Sequence, residues 1–129
     1  MPLRYRAAGV GEGIGLALLN LGEADYLLGE DERAARRFEE ARAAFEAVGF
    51  RAHVGHALQG FAAVEARRDN AVAAARLLGR AAAVLAEVGA SDDDFNPQMV
   101  SQAVASARGR LGDEVFERHF REGAAASES

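Results

Sequence analysis

Apolar residues recur every three or four positions along most of the chain, and glycine or short polar runs interrupt this pattern at intervals. A spacing of three and four places the apolar side chains on one face of a helix. The pattern predicts helices at about residues 12–28, 32–48, 52–67, 71–88 and 97–111, with Asp31 as the N-cap of the helix at 32–48. A short last helix is expected at about residues 113–122, and residues 1–8 are predicted to be the last turns of a helix that ends at Gly9.

The interruptions repeat with a period of 40 residues, at Gly9, Gly49 and Gly89. Other residues repeat with them: Ile14-Gly15-x-Ala17-Leu18 returns as Val54-Gly55-x-Ala57-Leu58, and Ala34, Phe38 and Ala41 return as Ala74, Leu78 and Ala81. Self-similarity at such a period is typical of stacked helical repeats. Because glycine often follows a helix C-terminus, each of the three glycines is expected to end the second helix of a hairpin.

These observations predict an all-α protein, in agreement with 30 alanines and only two prolines in the sequence. The predicted architecture is a right-handed array of antiparallel helix hairpins with a C-terminal capping helix. One domain would span residues 1–122, with repeat units at about 10–49 and 50–89 and a partial unit at 95–122. Residues 123–129 would form a flexible tail, and the apolar helix 71–88 would lie in the middle of the array.

Charge and composition narrow the classes of partner. A formal net charge of −5 and a pI of about 5.2 argue against nucleic-acid binding, which depends on a basic surface. The chain has no cysteine, so disulfides and thiolate metal sites are excluded. The sequence shows neither the apolar region of a signal peptide nor an apolar run long enough to span a membrane. We therefore expect a cytoplasmic protein without membrane contact.

Three short motifs could carry chemistry, and a simpler interpretation is favoured for each. Residues 10–15 resemble a glycine-rich phosphate loop, but no strand precedes them and Glu12 would repel an anion, so a turn between repeats is predicted. His53 and His56 lack a third ligand for a metal. Residues 92–94 lack the ligand spacing of a calcium loop, so a solvated loop is predicted. We expect no cofactor, no metal and no enzymatic activity.

The pattern Leu21-Gly22 followed by Ala34-x3-Phe38-x2-Ala41 resembles the tetratricopeptide repeat, which has two antiparallel helices per unit. The period of 40 also overlaps the range of HEAT and armadillo repeats, but the alternation of small and large residues favours the tetratricopeptide type. More specifically, residues 15–22, 57–62, 74–79 and 108–116 are similar in order to the C-terminal repeat region of bacterial LuxR-type and related ATPase-linked transcriptional regulators. That resemblance implies a sensor or protein-docking segment.

The predicted function is therefore non-catalytic binding of a protein or peptide, with a regulatory role. In stacked hairpins the inner surface is formed mainly by the first helix of each unit. The groove residues expected from position are Asn20, Glu23, Tyr26, His56, Gln59, Arg67, Gln98 and Gln102.

Two alternatives remain open at this point. The stretch 14–28 is apolar on most sides although a terminal repeat normally has a polar outer face, so either the chain is the C-terminal piece of a longer protein or a second copy covers this face through Leu16 and Leu19. If a second copy covers it, the chain is a structural homo-oligomerisation domain. The other alternative is a sensor with a small ligand between the helices, which would need an apolar cavity with a few polar groups.

Overall fold

The computed structural model describes the backbone of residues 3–126 and the side chains of residues 9–126. Within this range the chain forms six helices and no strand, which confirms the predicted all-α class. The helices are α1 (Leu3–Leu27), α2 (Asp31–Val48), α3 (Arg51–Arg67), α4 (Ala71–Glu87), α5 (Pro97–Leu111) and α6 (Asp113–Ala125). The bounds of α5 are those predicted, and those of α2, α3 and α4 differ by one residue.

The predicted helix end at Gly9, and the turn predicted at residues 10–15, are wrong because α1 runs through both without a break. A glycine inside a helix costs only about 1 kcal/mol of intrinsic propensity, which packing can offset. Here α1 uses its glycines for close packing: a side chain at Gly11 would meet Val48, and one at Gly15 would meet Phe45 at 2.6 Å. Gly11 and Gly15 therefore let α1 lie close to α2, whereas a Cβ at Gly9 or Gly13 would meet open space.

Gly49 and Gly89 do end the second helix of their units, as predicted. Both have left-handed backbone angles, with φ of +78° and +67°, which glycine adopts without steric cost. The hydrogen bonds beside them are the same one repeat apart: the Phe50 amide donates to the Phe45 carbonyl at 3.0 Å, and the Ala90 amide donates to the Leu85 carbonyl at 2.9 Å. Each of these hydrogen bonds satisfies a carbonyl oxygen that would otherwise have no partner at the C-terminal end of the helix.

The predicted capping role of Asp31 is wrong. Glu30 precedes α2 and Asp31 is its first residue, with no side-chain cap on the helix. The carboxylate of Asp31 instead accepts a hydrogen bond from Nε of Arg67 at 2.8 Å. The Asp31 side chain therefore links α2 to α3 and does not cap α2.

The helices pack as successive antiparallel pairs. Gly15 in the middle of α1 lies against Phe45 near the end of α2, and Gly22 closer to the end of α1 lies against Phe38 earlier in α2. Gly55 near the start of α3 lies against Leu85 near the end of α4. α3 contacts α1, α2, α4 and α5, and α4 contacts α3, α5 and α6. The central position predicted for the helix at 71–88 is therefore confirmed for α4. The fully buried core includes Phe38, Phe45, Phe116, Leu58 and Leu85.

Helix α6 packs mainly on α4. Gly79 of α4 lies against the backbone of α6, and Gly123 of α6 lies against the backbone of α4. A Cβ atom at Gly79 would collide with the carbonyl oxygen of Phe120, and one at Gly123 would collide with the carbonyl oxygen of Arg76. Gly123 is buried and residues 123–125 are helical, so the tail predicted from residue 123 is wrong for these positions. Residues 127–129 lie outside the described part of the chain.

Replacement of Gly79 by alanine tests this contact. We expect Gly79→Ala to lower the free energy of unfolding by about 2 kcal/mol, since the neighbouring atoms are backbone and α6 must move. Gly109→Ala is the matched control, because Gly109 also lies inside a helix and a Cβ there meets open space. That control should raise the stability by up to about 1 kcal/mol. Urea unfolding measures both, and equal effects of the two changes would contradict the packing.

Candidate functional site

A groove runs along the side of the molecule where α1, α3 and α5 lie next to one another, and it holds two adjoining cavities. The first has a volume of about 150 Å³ and is lined by Glu23, Tyr26, Leu27, Asn96, Gln98, Met99 and Gln102. The second has a volume of about 170 Å³ and is lined by Tyr26, Ala63, Ala66, Arg67, Gln102, Ala103 and Ser106. Tyr26 and Gln102 belong to both linings and so separate the two cavities.

The structure brings together five of the eight residues predicted for a groove: Glu23, Tyr26, Arg67, Gln98 and Gln102. Two others, His56 and Gln59, are buried in α3, with exposed fractions of 7% and 2%. Asn20 is exposed and lies in the lining of neither cavity. Its repeat counterpart in α3, Gly60, faces Phe38 of α2, so this repeat position lines the groove in neither helix.

Arg67 forms one edge of the groove and is held by three groups. Its guanidinium carbon lies 3.7 Å from the centre of the Tyr26 ring. One guanidinium nitrogen donates to the carbonyl oxygen of Tyr26 at 2.6 Å, and Nε donates to Asp31. These contacts fix the Tyr26 ring between the cavities and oppose the positive charge with a carboxylate.

The segment 91–96, which precedes α5 and is called the 91–96 loop below, covers the other part of the groove. Gln59 donates from Nε2 to the carbonyl oxygen of Asp92 at 3.3 Å. The Phe95 ring stacks on His56 with centroids 6.0 Å apart, and it meets the Phe38 ring edge-on. Asp92, Asp93 and Asp94 are exposed, as the predicted solvated loop requires, but Phe95 is half-buried.

Asn96 completes the attachment of the 91–96 loop. Its Oδ1 accepts a hydrogen bond from the Met99 amide at 3.1 Å and caps α5. Its Nδ2 donates to Glu23 of α1 at 2.9 Å. The sequence signal for this contact was the Asn-Pro pair at the start of α5, which predicts the cap but not the partner in α1.

The two histidines of α3 meet beneath this loop. Nδ1 of His53 and Nδ1 of His56 are 3.4 Å apart, and Nε2 of His53 is 3.8 Å from a carboxylate oxygen of Glu12. Burial lowers the pKa of His56, the charge of His53 lowers it further, and Asp94 acts in the opposite direction. Among the described side chains, no group of three or more histidine, aspartate or glutamate residues is placed to hold a metal ion.

Two buried polar atoms near the loop have no hydrogen-bond partner among the described residues. They are Nε2 of His56 and Oε1 of Gln59. A buried polar atom without a partner costs about 1–3 kcal/mol. On its α3 side, this part of the groove therefore has two polar atoms that form no hydrogen bond. The 91–96 loop covers the two residues that carry them.

A second exposed surface lies on α1, away from α2. Val10, Ile14 and Leu21 of α1, and Leu28 in the turn after it, have exposed fractions of 63%, 52%, 46% and 73%. Of the two residues predicted for self-association, Leu16 is 38% exposed, whereas Leu19 is 5% exposed and packs in the core. Leu19 is therefore not available to a partner. No helix in the described part of the chain is both long and apolar enough to cross a membrane.

The lowered pKa of His56 predicts a loss of stability in acid. Because the folded state disfavours the protonated ring, stability is fully present above the unfolded pKa of about 6.5 and falls as the pH drops below that value. Thermal unfolding of the wild type and of His56→Gln between pH 7.5 and pH 5 measures this. We expect a smaller decline for the variant, and identical pH profiles would contradict the assignment.

Comparison with known proteins supplies no relative from which a function could be transferred. No protein-family model, no curated protein and no solved structure matches this chain. Function must therefore be argued from the groove and from the exposed face of α1.

Proposed function

We propose that this chain is a non-catalytic docking module that binds an extended peptide segment in the groove between α1, α3 and α5. The observation that carries this proposal is the pair of adjoining cavities separated by Tyr26 and Gln102. A cavity of about 150 Å³ holds a group the size of benzene, so each cavity suits one side chain. Alternate side chains of an extended peptide point to the same side, which matches two neighbouring cavities.

The chemistry of the lining supports peptide recognition. Gln98 and Gln102 offer amide donors and acceptors for a peptide backbone, and both side chains are exposed. Tyr26 offers a ring held in place by Arg67, and Ala63, Ala66 and Ala103 give the second cavity an apolar floor. Aromatic residues that are already ordered make good binding anchors because little side-chain entropy is lost.

We further infer that the helices form a tetratricopeptide-like array. Support comes from the antiparallel pairs α1–α2 and α3–α4, from the 40-residue repeat, and from the contacts of α3 with both α1 and α5. The resemblance to the repeat region of bacterial transcriptional regulators favours a regulatory role for the bound peptide. A small-ligand sensor fits this groove less well, since neither cavity alone reaches the roughly 300–1,000 Å³ of a pocket for a drug-sized ligand.

The proposal predicts that Gln102 is important for peptide affinity, because its amide borders both cavities. A peptide selected on the wild-type protein from a random displayed library should bind Gln102→Ala about tenfold more weakly, a difference of about 1.4 kcal/mol. Fluorescence anisotropy with the labelled peptide measures the dissociation constant.

Ser101→Ala is the matched control for this measurement. Ser101 is exposed on the same helix and lies in neither cavity lining, so its replacement should leave the affinity unchanged. The proposal fails if no peptide is enriched over a library panned without the protein. It also fails if the enriched peptide binds Gln102→Ala as tightly as the wild type.

A further inference from the structure

The exposed face of α1 has the composition of a buried helix face. Six residues form a stripe with the spacing 4-3-4-3-4, called the α1 stripe below: Val10, Ile14, Ala17, Leu21, Ala24 and, in the turn after α1, Leu28. All six are exposed and none is polar. The acidic residues of the same stretch point elsewhere: Glu12 and Glu23 are half-buried, and Asp25 is buried beside Arg33.

The internal repeat allows the exposed face of α1 to be compared with the corresponding face of α3. Gly13 and Asn20, which flank the α1 stripe, are exposed, while their counterparts 40 residues later are His53 and Gly60 of α3. His53 packs against Phe45 of α2 with ring centroids 4.8 Å apart, and Gly60 lies against Phe38 of α2. In α3 this face is thus covered by a helix, whereas in α1 it is open.

A partner that covers the α1 stripe must itself present an uncharged surface. The opposite end of the molecule does not, because α6 exposes Asp113, Glu114, Arg118 and Arg121. A head-to-tail assembly would place these charges on an apolar face and leave them poorly solvated. The α1 stripe of a second copy is uncharged along its whole length, and contact between two identical faces generates a closed two-fold dimer.

We propose that two copies of this chain associate through the α1 stripe, with the two α1 helices antiparallel about a two-fold axis. In this arrangement Val10 meets Leu28 of the other copy, Ile14 meets Ala24, and Ala17 meets Leu21. Each large side chain at the centre then faces a small one. A parallel pair would place alanine against alanine twice and leave gaps, and gaps in a packed interface lose contacts. The 3.5-residue spacing of the stripe suits the close packing of two helices.

The area of the α1 stripe determines how tightly two copies are expected to bind each other. Residues 10–28 extend over about 27 Å of helix, and one helix face of this length is smaller than the roughly 800 Å² per partner of a standard interface. We therefore expect a reversible dimer with a dissociation constant in the micromolar range. Because the α1 stripe is uncharged, raising the salt concentration should not weaken the association.

Sedimentation velocity over a range of protein concentrations tests the dimer. The wild type should pass from monomer to dimer, and Leu21→Glu should raise the dissociation constant at least tenfold. Val88→Glu is the matched control, since Val88 is exposed at 48% but lies after α4, away from the stripe. Circular dichroism confirms that both variants remain folded. A monomer at all concentrations, or equal dimerisation of Leu21→Glu and wild type, would overturn the proposal.

Cross-linking tests the orientation, and the chain is well suited because it has no cysteine of its own. Protein carrying Ile14→Cys and protein carrying Ala24→Cys should form a disulfide when mixed under oxidising conditions, because antiparallel helices place these positions opposite each other. Each protein alone should not cross-link, since its two thiols would be about 15 Å apart along the helix axis. Efficient cross-linking of Ala24→Cys with itself would overturn the antiparallel arrangement.

These measurements are independent of the peptide-docking proposal. Leu21 and Ala24 do not line the groove cavities, and Gln102 does not lie on α1. A chain that stays monomeric but binds a peptide through Gln102 would overturn the dimer alone. A chain that dimerises but enriches no peptide would overturn the docking function alone.

Discussion

The Phe38 side chain holds the two hairpins together, and the position of the groove depends on it. Its ring lies against Gly22 of α1 and Gly60 of α3, where any side chain would collide with it. One fully buried ring from α2 therefore sets the distance to α1 and α3, two of the three helices that line the groove. The same ring meets Phe95 edge-on, so the 91–96 loop is positioned against the same fixed point. Close packing of this kind tolerates little change in volume.

The residues at each helix end predicted most of the helix bounds, but they could not show whether a glycine ends a helix or lies inside one. Gly49 ends a helix and Pro97 begins one, and both were readable because each residue restricts the backbone directly. Gly9, Gly11 and Gly15 give the same local signal as a turn, yet they lie inside α1. For Gly11 and Gly15 the outcome depends on Val48 and Phe45, at least 30 residues away, whose side chains occupy the space that these two glycines leave, whereas a Cβ at Gly9 would meet open space.

The candidate site was predictable to the extent that it follows from helix order. Glu23, Tyr26 and Gln102 lie where first helices of successive hairpins meet, so position in the repeat was sufficient. His56 and Gln59 have equivalent positions, but the 91–96 loop covers them, and its path depends on the docking of Phe95. Asn20 and Leu19 differ from expectation by the rotation of α1, which is set by Phe38 and Phe45 against its glycines.

Gly79 and Gly123 together determine how α6 docks on α4. Because each glycine receives the backbone of the opposite helix, α4 and α6 fit together in one register only. A shift of α6 by one turn would bring Phe120 or His119 to the level of α4 where only a glycine fits. The final helix therefore cannot slide to compensate for a change elsewhere. Loss of this docking would expose the buried face of α4 around Gly79, against which the Phe120 carbonyl packs.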